Sequence, residues 1–175
     1  MKIATQLYLH LCSRRSQDTI RYAILTVGLI FAASTASAHD LASASTDAII
    51  ARKTVMNSLS DKMDDIEGMI SSGKIDLATA RADADTISVF LMAFPHLFPP
   101  ATNQWKPNVA RDPATDTFAS PDIWIKFADF YKQSTAASKS AYNASRSQNE
   151  NDLKAAIAQL RTQCNACHRD YLKQN

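Results

Sequence analysis

Four stretches of this chain carry apolar side chains at alternating intervals of three and four residues, the spacing that places them on one face of an α-helix. In the first, about 40–70, the stripe runs through Ile49, Arg52, Met56, Leu59, Met63, Ile66 and Ile70, with one arginine set among the apolar positions. The second, about 74–94, repeats the spacing at Ala80, Ala84, Ile87, Leu91 and Phe94. Ser71-Ser72-Gly73 separates them, and a glycine suits the left-handed residue that commonly closes a helix. A turn this short predicts an antiparallel pair.

Pro95, Pro99, Pro100, Pro107 and Pro113 then exclude continuous helix, so residues 95–119 are expected to form a long connection. Ser120-Pro121-Asp122 restarts a helix. The serine can cap, the proline takes a first-turn position where its missing donor costs nothing, and the aspartate complements the positive end of the dipole. The third stripe is Ile123, Phe127, Phe130, Ser134, Ala137 and Ala141. After a polar patch at 145–151, the fourth follows at Leu153, Ile157, Leu160, Cys164, Cys167 and Tyr171, which turns both cysteines toward the core. With no alternating strand pattern and no internal repeat, the chain is expected to be all-α, an antiparallel four-helix bundle with one long central connection.

The N-terminal residues have a different pattern. Lys2, Arg14, Arg15 and Arg21 precede an apolar run over 22–33, followed by Ala36-Ser37-Ala38. Basic region, apolar region and small-x-small site occur in the order of a secretory signal peptide, and the run is shorter than the roughly 20 residues a membrane span needs. The expectation is a leader over 1–38, cleaved after Ala38, and a mature domain over 39–175 exported to a bacterial periplasm, with no membrane span left. The whole chain of 175 residues has 19 Lys+Arg against 17 Asp+Glu; without the leader the balance is 15 against 16. A charge this close to zero argues against nucleic acid as a partner. Cys12 leaves with the leader, so the mature chain keeps Cys164 and Cys167.

Those two cysteines belong to Cys164-Asn165-Ala166-Cys167-His168, a C-x-x-C-H motif of the kind that attaches a c-type haem. Residues i and i+3 share a helix face, so both thiols can add to the two vinyl groups along one edge of a porphyrin. His168 is then placed to bind the iron as proximal ligand. Other uses of the motif fit less well. A disulfide between cysteines three apart on a helix is poorly placed and constrains almost nothing. Thioredoxin-like chemistry wants the pair at a helix N-terminus beside a βαβ unit. A zinc site lacks a fourth ligand, since the other mature histidines are only His39 and His96.

Apart from the leader, the chain resembles the cytochrome c-prime family, which includes the low-spin cytochromes c-556. The resemblance is carried by the terminal C-x-x-C-H with Tyr171 after it, by Arg52-x-x-x-Met56, by Leu97-Phe98-Pro99 and by Pro121-Asp122-Ile123-Trp124, in order over 45–173. It implies a left-handed antiparallel four-helix bundle with one covalent haem c near one end. It also implies that Arg52 lies near the haem propionates and that Met56 faces the open side of the iron.

Two functions follow from what Met56 does. If its sulfur binds iron, the haem is six-coordinate and low-spin, suited to carrying single electrons between redox partner proteins. If it only packs, the haem is five-coordinate and admits a small gas ligand, nitric oxide or carbon monoxide. High-spin members usually carry Arg or Lys four residues after the proximal histidine, where this chain has Leu172, so the resemblance favours the electron carrier with His168 and Met56 as ligands. No general acid suggests an enzyme. His96, in the long connection, is expected at the surface and not at the iron. Trp124, Phe127 and Phe130 are expected in the core of the third helix. The family often dimerises through its first two helices; Ile50, Val55 and Met69 could supply such a homodimer contact or simply widen the core face.

Overall fold

The computed structural model describes residues 38–109 and 118–173. The leader expected over 1–38, with Cys12, lies outside the described residues apart from Ala38. Among the described residues five helices follow one another: α1 Ala38–Ser72, α2 Leu77–Ala93, α3 Asp122–Ile125, α4 Phe127–Ser145 and α5 Glu150–Tyr171, with 3-10 turns at Phe94–Leu97 and Pro100–Thr102. The four long ones are the four predicted by spacing. α1 closes at Gly73, whose φ of 68° is left-handed. Asp76 caps α2 by accepting the N–H groups of Ala78 and Thr79. Asn149 caps α5 in the same way, taking the Asp152 N–H at 3.0 Å while its own amide reaches the Asp152 carboxylate at 2.9 Å. These caps end the helices sharply, so α1 and α2 turn back on each other through residues 73–76, and α4 and α5 through 146–149.

The main core gathers the predicted stripes. Leu59, Met63 and Ile66 of α1 meet Ala80, Ala84, Ile87 and Leu91 of α2, Ala137 and Ala141 of α4, and Leu153, Ile157 and Leu160 of α5. The facing positions of α2 and α4 are mostly alanine and serine, which lets the backbones approach. Ser138 Oγ donates to the Ser88 carbonyl at 2.8 Å and Ser134 Oγ to that of Leu91 at 2.6 Å, so each buried hydroxyl is satisfied by the neighbouring helix. Val55 and Met69 pack against this core and so widen its face, whereas Ile50 is 57% exposed.

The third stripe departs from expectation at Phe127, which is 39% exposed. Lys126, at φ −115° and ψ 39°, interrupts the helix and separates α3 from α4. The break shifts the helical phase between Ile123 and Phe130, which both remain buried, and turns Phe127 outward. Ser120 Oγ accepts the Asp122 N–H, as the capping reading anticipated.

A second, aromatic core closes one end of the bundle, where the long connection crosses. Phe94, Phe98, Ile123, Phe130 and Tyr171 form it. Phe98 meets Phe94 edge-on at 5.1 Å and Phe130 at 5.0 Å, and Phe130 meets Tyr171 at 5.2 Å. Two backbone bonds, Ser120 N–H to Tyr171 O at 2.9 Å and Lys173 N–H to Phe118 O at 2.8 Å, pair the segment before α3 with the end of α5. The C-x-x-C-H motif is thereby held beside this aromatic end. Among the described residues, no helix is long and apolar enough to cross a membrane.

Candidate functional site

Between α1 and α5, at the aromatic end, lie two cavities of about 310 and 250 Å³. Met56 and Asn57 of α1, Phe94, and Cys167 and His168 of α5 border both. The larger extends to Arg52, Phe98 and Tyr171; the smaller reaches Cys164 and, below it, Leu59, Met63, Ile87 and Leu91. All five residues singled out from the sequence, Cys164, Cys167, His168, Arg52 and Met56, therefore border this one region. His96 does not. It is exposed on the 3-10 turn after α2, its ring edge-on to Tyr131 at 6.0 Å.

Cys164 and Cys167 are half-buried free thiols one turn apart on α5. Burial pushes the Cys167 thiol up to about 12, with Cys164, Asp170 and Asp129 adding to the effect, and burial likewise raises Cys164. A redox-active C-x-x-C needs the reverse, a thiol pKa depressed at a helix N-terminus. This pair lies in the last turns of α5, at the negative end of the dipole. Among the described residues no three His, Cys, Asp or Glu side chains converge to hold a metal ion.

His168 follows the pair at the cavity mouth, where it is partly exposed. Partial burial, and secondarily the Arg161 charge, hold its imidazole below the usual pKa. The neutral ring, with a lone pair to offer, is thus favoured.

Arg52 is buried at 3% exposure, yet it is well accommodated. Nη1 donates to Thr102 Oγ1 at 2.8 Å and Nη2 to the Thr102 carbonyl at 3.3 Å, while the guanidinium lies 4.8 Å from the Phe98 ring centroid and 5.8 Å from that of Trp124. Trp124 is itself fixed, its indole N–H shared between the Phe98 and Pro99 carbonyls. Thr102 escaped the sequence reading because nothing in the proline-rich connection marks it out; its role comes from a contact fifty positions away in the chain.

A second group of polar residues also went unrecognised. Tyr171 donates its hydroxyl to Asp129 at 2.7 Å, and Gln133 bridges Asp129 and Asp170 at 3.1 and 3.0 Å. Burial, then the bond to Asp129, raises the Tyr171 phenol well above its ordinary value. The i,i+4 spacing of Asp129 and Gln133 was the available signal.

These residues fit a covalently held haem. Two thiols on one helix face open onto a space between α1 and α5 whose walls are largely apolar, with a buried guanidinium at one end. Apolar walls with a few placed polar groups are what a cofactor site requires.

The model of the family described as Cytochrome C' matches residues 47–172. Among solved structures, cytochrome c prime from Shewanella frigidimarina is 25% identical, with a TM-score of 0.63, 74% of this chain and 97% of that chain being covered. An engineered variant of cytochrome c' from Rhodopseudomonas palustris is also 25% identical, at a TM-score of 0.63, with 74% and 99% covered. Cytochrome c556 from the same organism shares the fold at 23% identity and a TM-score of 0.61, with 74% and 98% covered. Among curated protein sequences none matches this chain. The motif, the bundle and the family match agree: this chain belongs to the cytochrome c' family, a left-handed antiparallel four-helix bundle that carries one covalent haem c and makes the protein a monohaem c-type cytochrome.

Proposed function

We propose that this protein is an exported, periplasmic carrier of single electrons, its haem c fastened through Cys164 and Cys167, with His168 as proximal ligand and Met56 as sixth ligand. The observation that carries the reading is that Met56 on α1 and His168 on α5 border the same two cavities. A haem held between these helices would have a thioether available from one and an imidazole from the other. Bound haem supplies an iron that takes up and releases one electron, and such a ligand pair keeps it low-spin in both states.

The chain's residues have separable tasks in this reading. Partial burial favours the neutral form of the His168 ring, whose lone pair can bind iron. Met56 is half-buried and packs against both cores, so its flexible side chain can bring the sulfur to the metal without exposing it. Arg52 would supply a buried positive charge to the propionates. The protein catalyses no reaction of its own. Its redox partner docks on it weakly and transiently, since a mature chain of near-zero charge steers little. The leader over 1–38 delivers it to the periplasm and is removed there.

A second reading leaves Met56 as packing and gives the open side of the iron to nitric oxide or carbon monoxide. The smaller cavity favours it, with Leu59, Met63, Ile87 and Leu91 lining an apolar space next to Met56. The optical spectrum of the reduced, haem-loaded protein separates the two. Sharp α and β bands are expected for Met56 ligation; a broad high-spin Soret band without them overturns it in favour of gas binding.

A further inference from the structure

We infer that Thr102 positions Arg52 at the haem end of the bundle and through it raises the ease with which the protein accepts an electron. The inference rests on the reading above that Arg52 faces the haem. A threonine hydroxyl has one proton and two lone pairs. Thr102 is wholly buried, and it gives that proton to the Pro99 carbonyl at 2.7 Å. Toward Arg52 it can therefore only accept, which it does from Nη1 at 2.8 Å, while its carbonyl takes Nη2 at 3.3 Å. One residue thus presents two acceptors side by side, a fork that matches the planar guanidinium.

The fork is itself rigid. The Pro99 carbonyl takes the Thr102 hydroxyl, the Thr102 N–H at 2.9 Å and the Trp124 indole at 3.3 Å, so the turn from Pro99 to Thr102 is locked from three directions. The Phe98 ring, 4.8 Å from the guanidinium carbon, blocks rotation on another side. Giving two of its five N–H groups to Thr102 does not exhaust the donors of an arginine. Its charge is meanwhile fixed on the wall of the larger cavity, which it shares with Cys167 and His168.

A cation held near iron in a poorly screened site favours the state with one positive charge fewer, the ferrous state. A guanidinium released from Thr102 can turn toward water, where its charge is screened, and the ferrous state loses that support. Adding one electron to the ferric protein then becomes harder.

The test is a mediated redox titration of the haem-loaded protein and its variants, each poised at the wild-type midpoint. Thr102→Val, which keeps the shape and removes the acceptor, is expected to lower the ferrous-to-ferric ratio about three- to tenfold, tenfold being 59 mV for one electron. Thr102→Ser restores the hydroxyl and is expected to stay within about twofold of wild type. Arg52→Gln removes the charge and is expected to lower the ratio at least as far as Thr102→Val. Should Thr102→Val yield no haem-loaded protein, Thr102→Ala is read in its place, with thermal midpoints measured for all. A wild-type ratio in Thr102→Val or Thr102→Ala while Arg52→Gln shifts overturns the role of Thr102. A wild-type ratio in Arg52→Gln removes Arg52 from the haem, and with it the reading on which this inference rests. A shift in Thr102→Ser as large as in Thr102→Val also overturns the inference, because the hydroxyl would then not be the cause.

Discussion

Glu67 on α1 and Arg161 on α5 meet in a two-pronged hydrogen bond, Nε to Oε1 at 2.8 Å and Nη2 to Oε2 at 2.6 Å, one turn before Cys164. Beyond this pair, toward the aromatic end, the two cavities lie between the helices. The ion pair therefore joins α1 to α5 at the floor of the haem region, where Arg161 also borders the smaller cavity.

Both partners are 38% exposed, so water and salt weaken the bond considerably. Its planar, two-pronged geometry places it at the upper end for a surface pair, about 1 kcal/mol. Arg161→Met keeps much of the side-chain volume and is expected to lower unfolding stability by about that amount, the difference shrinking in high salt. Urea unfolding of the two proteins at low and high ionic strength measures it. An undiminished difference in concentrated salt would assign the effect to packing instead.

The interface of α2 with α4 depends on small side chains, and it predicts the opposite kind of defect. Ala84 has no exposed surface and lies in the main core with Ala137 and Ala141. Ala84→Leu forces extra methylenes between backbones already held by the Ser88–Ser138 and Leu91–Ser134 bonds. The expected cost is about 1–3 kcal/mol, seen as a fall of several degrees in the thermal midpoint. A midpoint equal to that of wild type would mean that the helices separate freely at this level.

Tyr171 gives a prediction in pH. Its phenol is raised above the ordinary value by burial and by donation to Asp129. A group whose folded-state pKa is raised contributes stability below its unfolded pKa, near 10.0 for tyrosine, and loses it as pH climbs toward the folded-state value. Tyr171→Phe is expected to cost about 1 kcal/mol at neutral pH, where the bond is intact. The gap between the two proteins should close as pH rises beyond about 10. Urea midpoints at neutral pH and at several alkaline values follow it; a gap constant through the alkaline range would show that the bond to Asp129 contributes nothing.

How much of this was legible in the sequence varies with how local each feature is. The stripes through Ile66, Ala84 and Leu160 read correctly, because helical spacing alone decides which side chains share a face, and these three are almost completely buried. Gly73 read correctly for an equally local reason. The interruption at Lys126 did not, since neither Gly nor Pro marks it, and unbroken helical spacing puts Phe127 on the core face. The site divides along the same line. Cys164, Cys167 and His168 are announced by their own spacing. Thr102 is invisible, because its importance arises only when the long connection folds back over α1 and meets Arg52.

Met56 supports the decisive functional prediction. The side chain is half-buried between the two cores, so Met56→Leu exchanges one apolar group for another of similar volume and is expected to cost less than about 1.5 kcal/mol. The thioether, however, has no substitute in leucine. If Met56 is the sixth ligand, the variant loses the sharp α and β bands of the reduced wild-type protein. It also gains rapid binding of carbon monoxide, since the side of the iron that the sulfur covered now opens on the apolar space lined by Met63, Ile87 and Leu91. If Met56 only packs, both proteins share one high-spin spectrum and bind the gas alike. Because the exchange conserves volume, a change in the spectrum cannot be attributed to a collapsed site, and an unchanged helix content by circular dichroism would establish that directly.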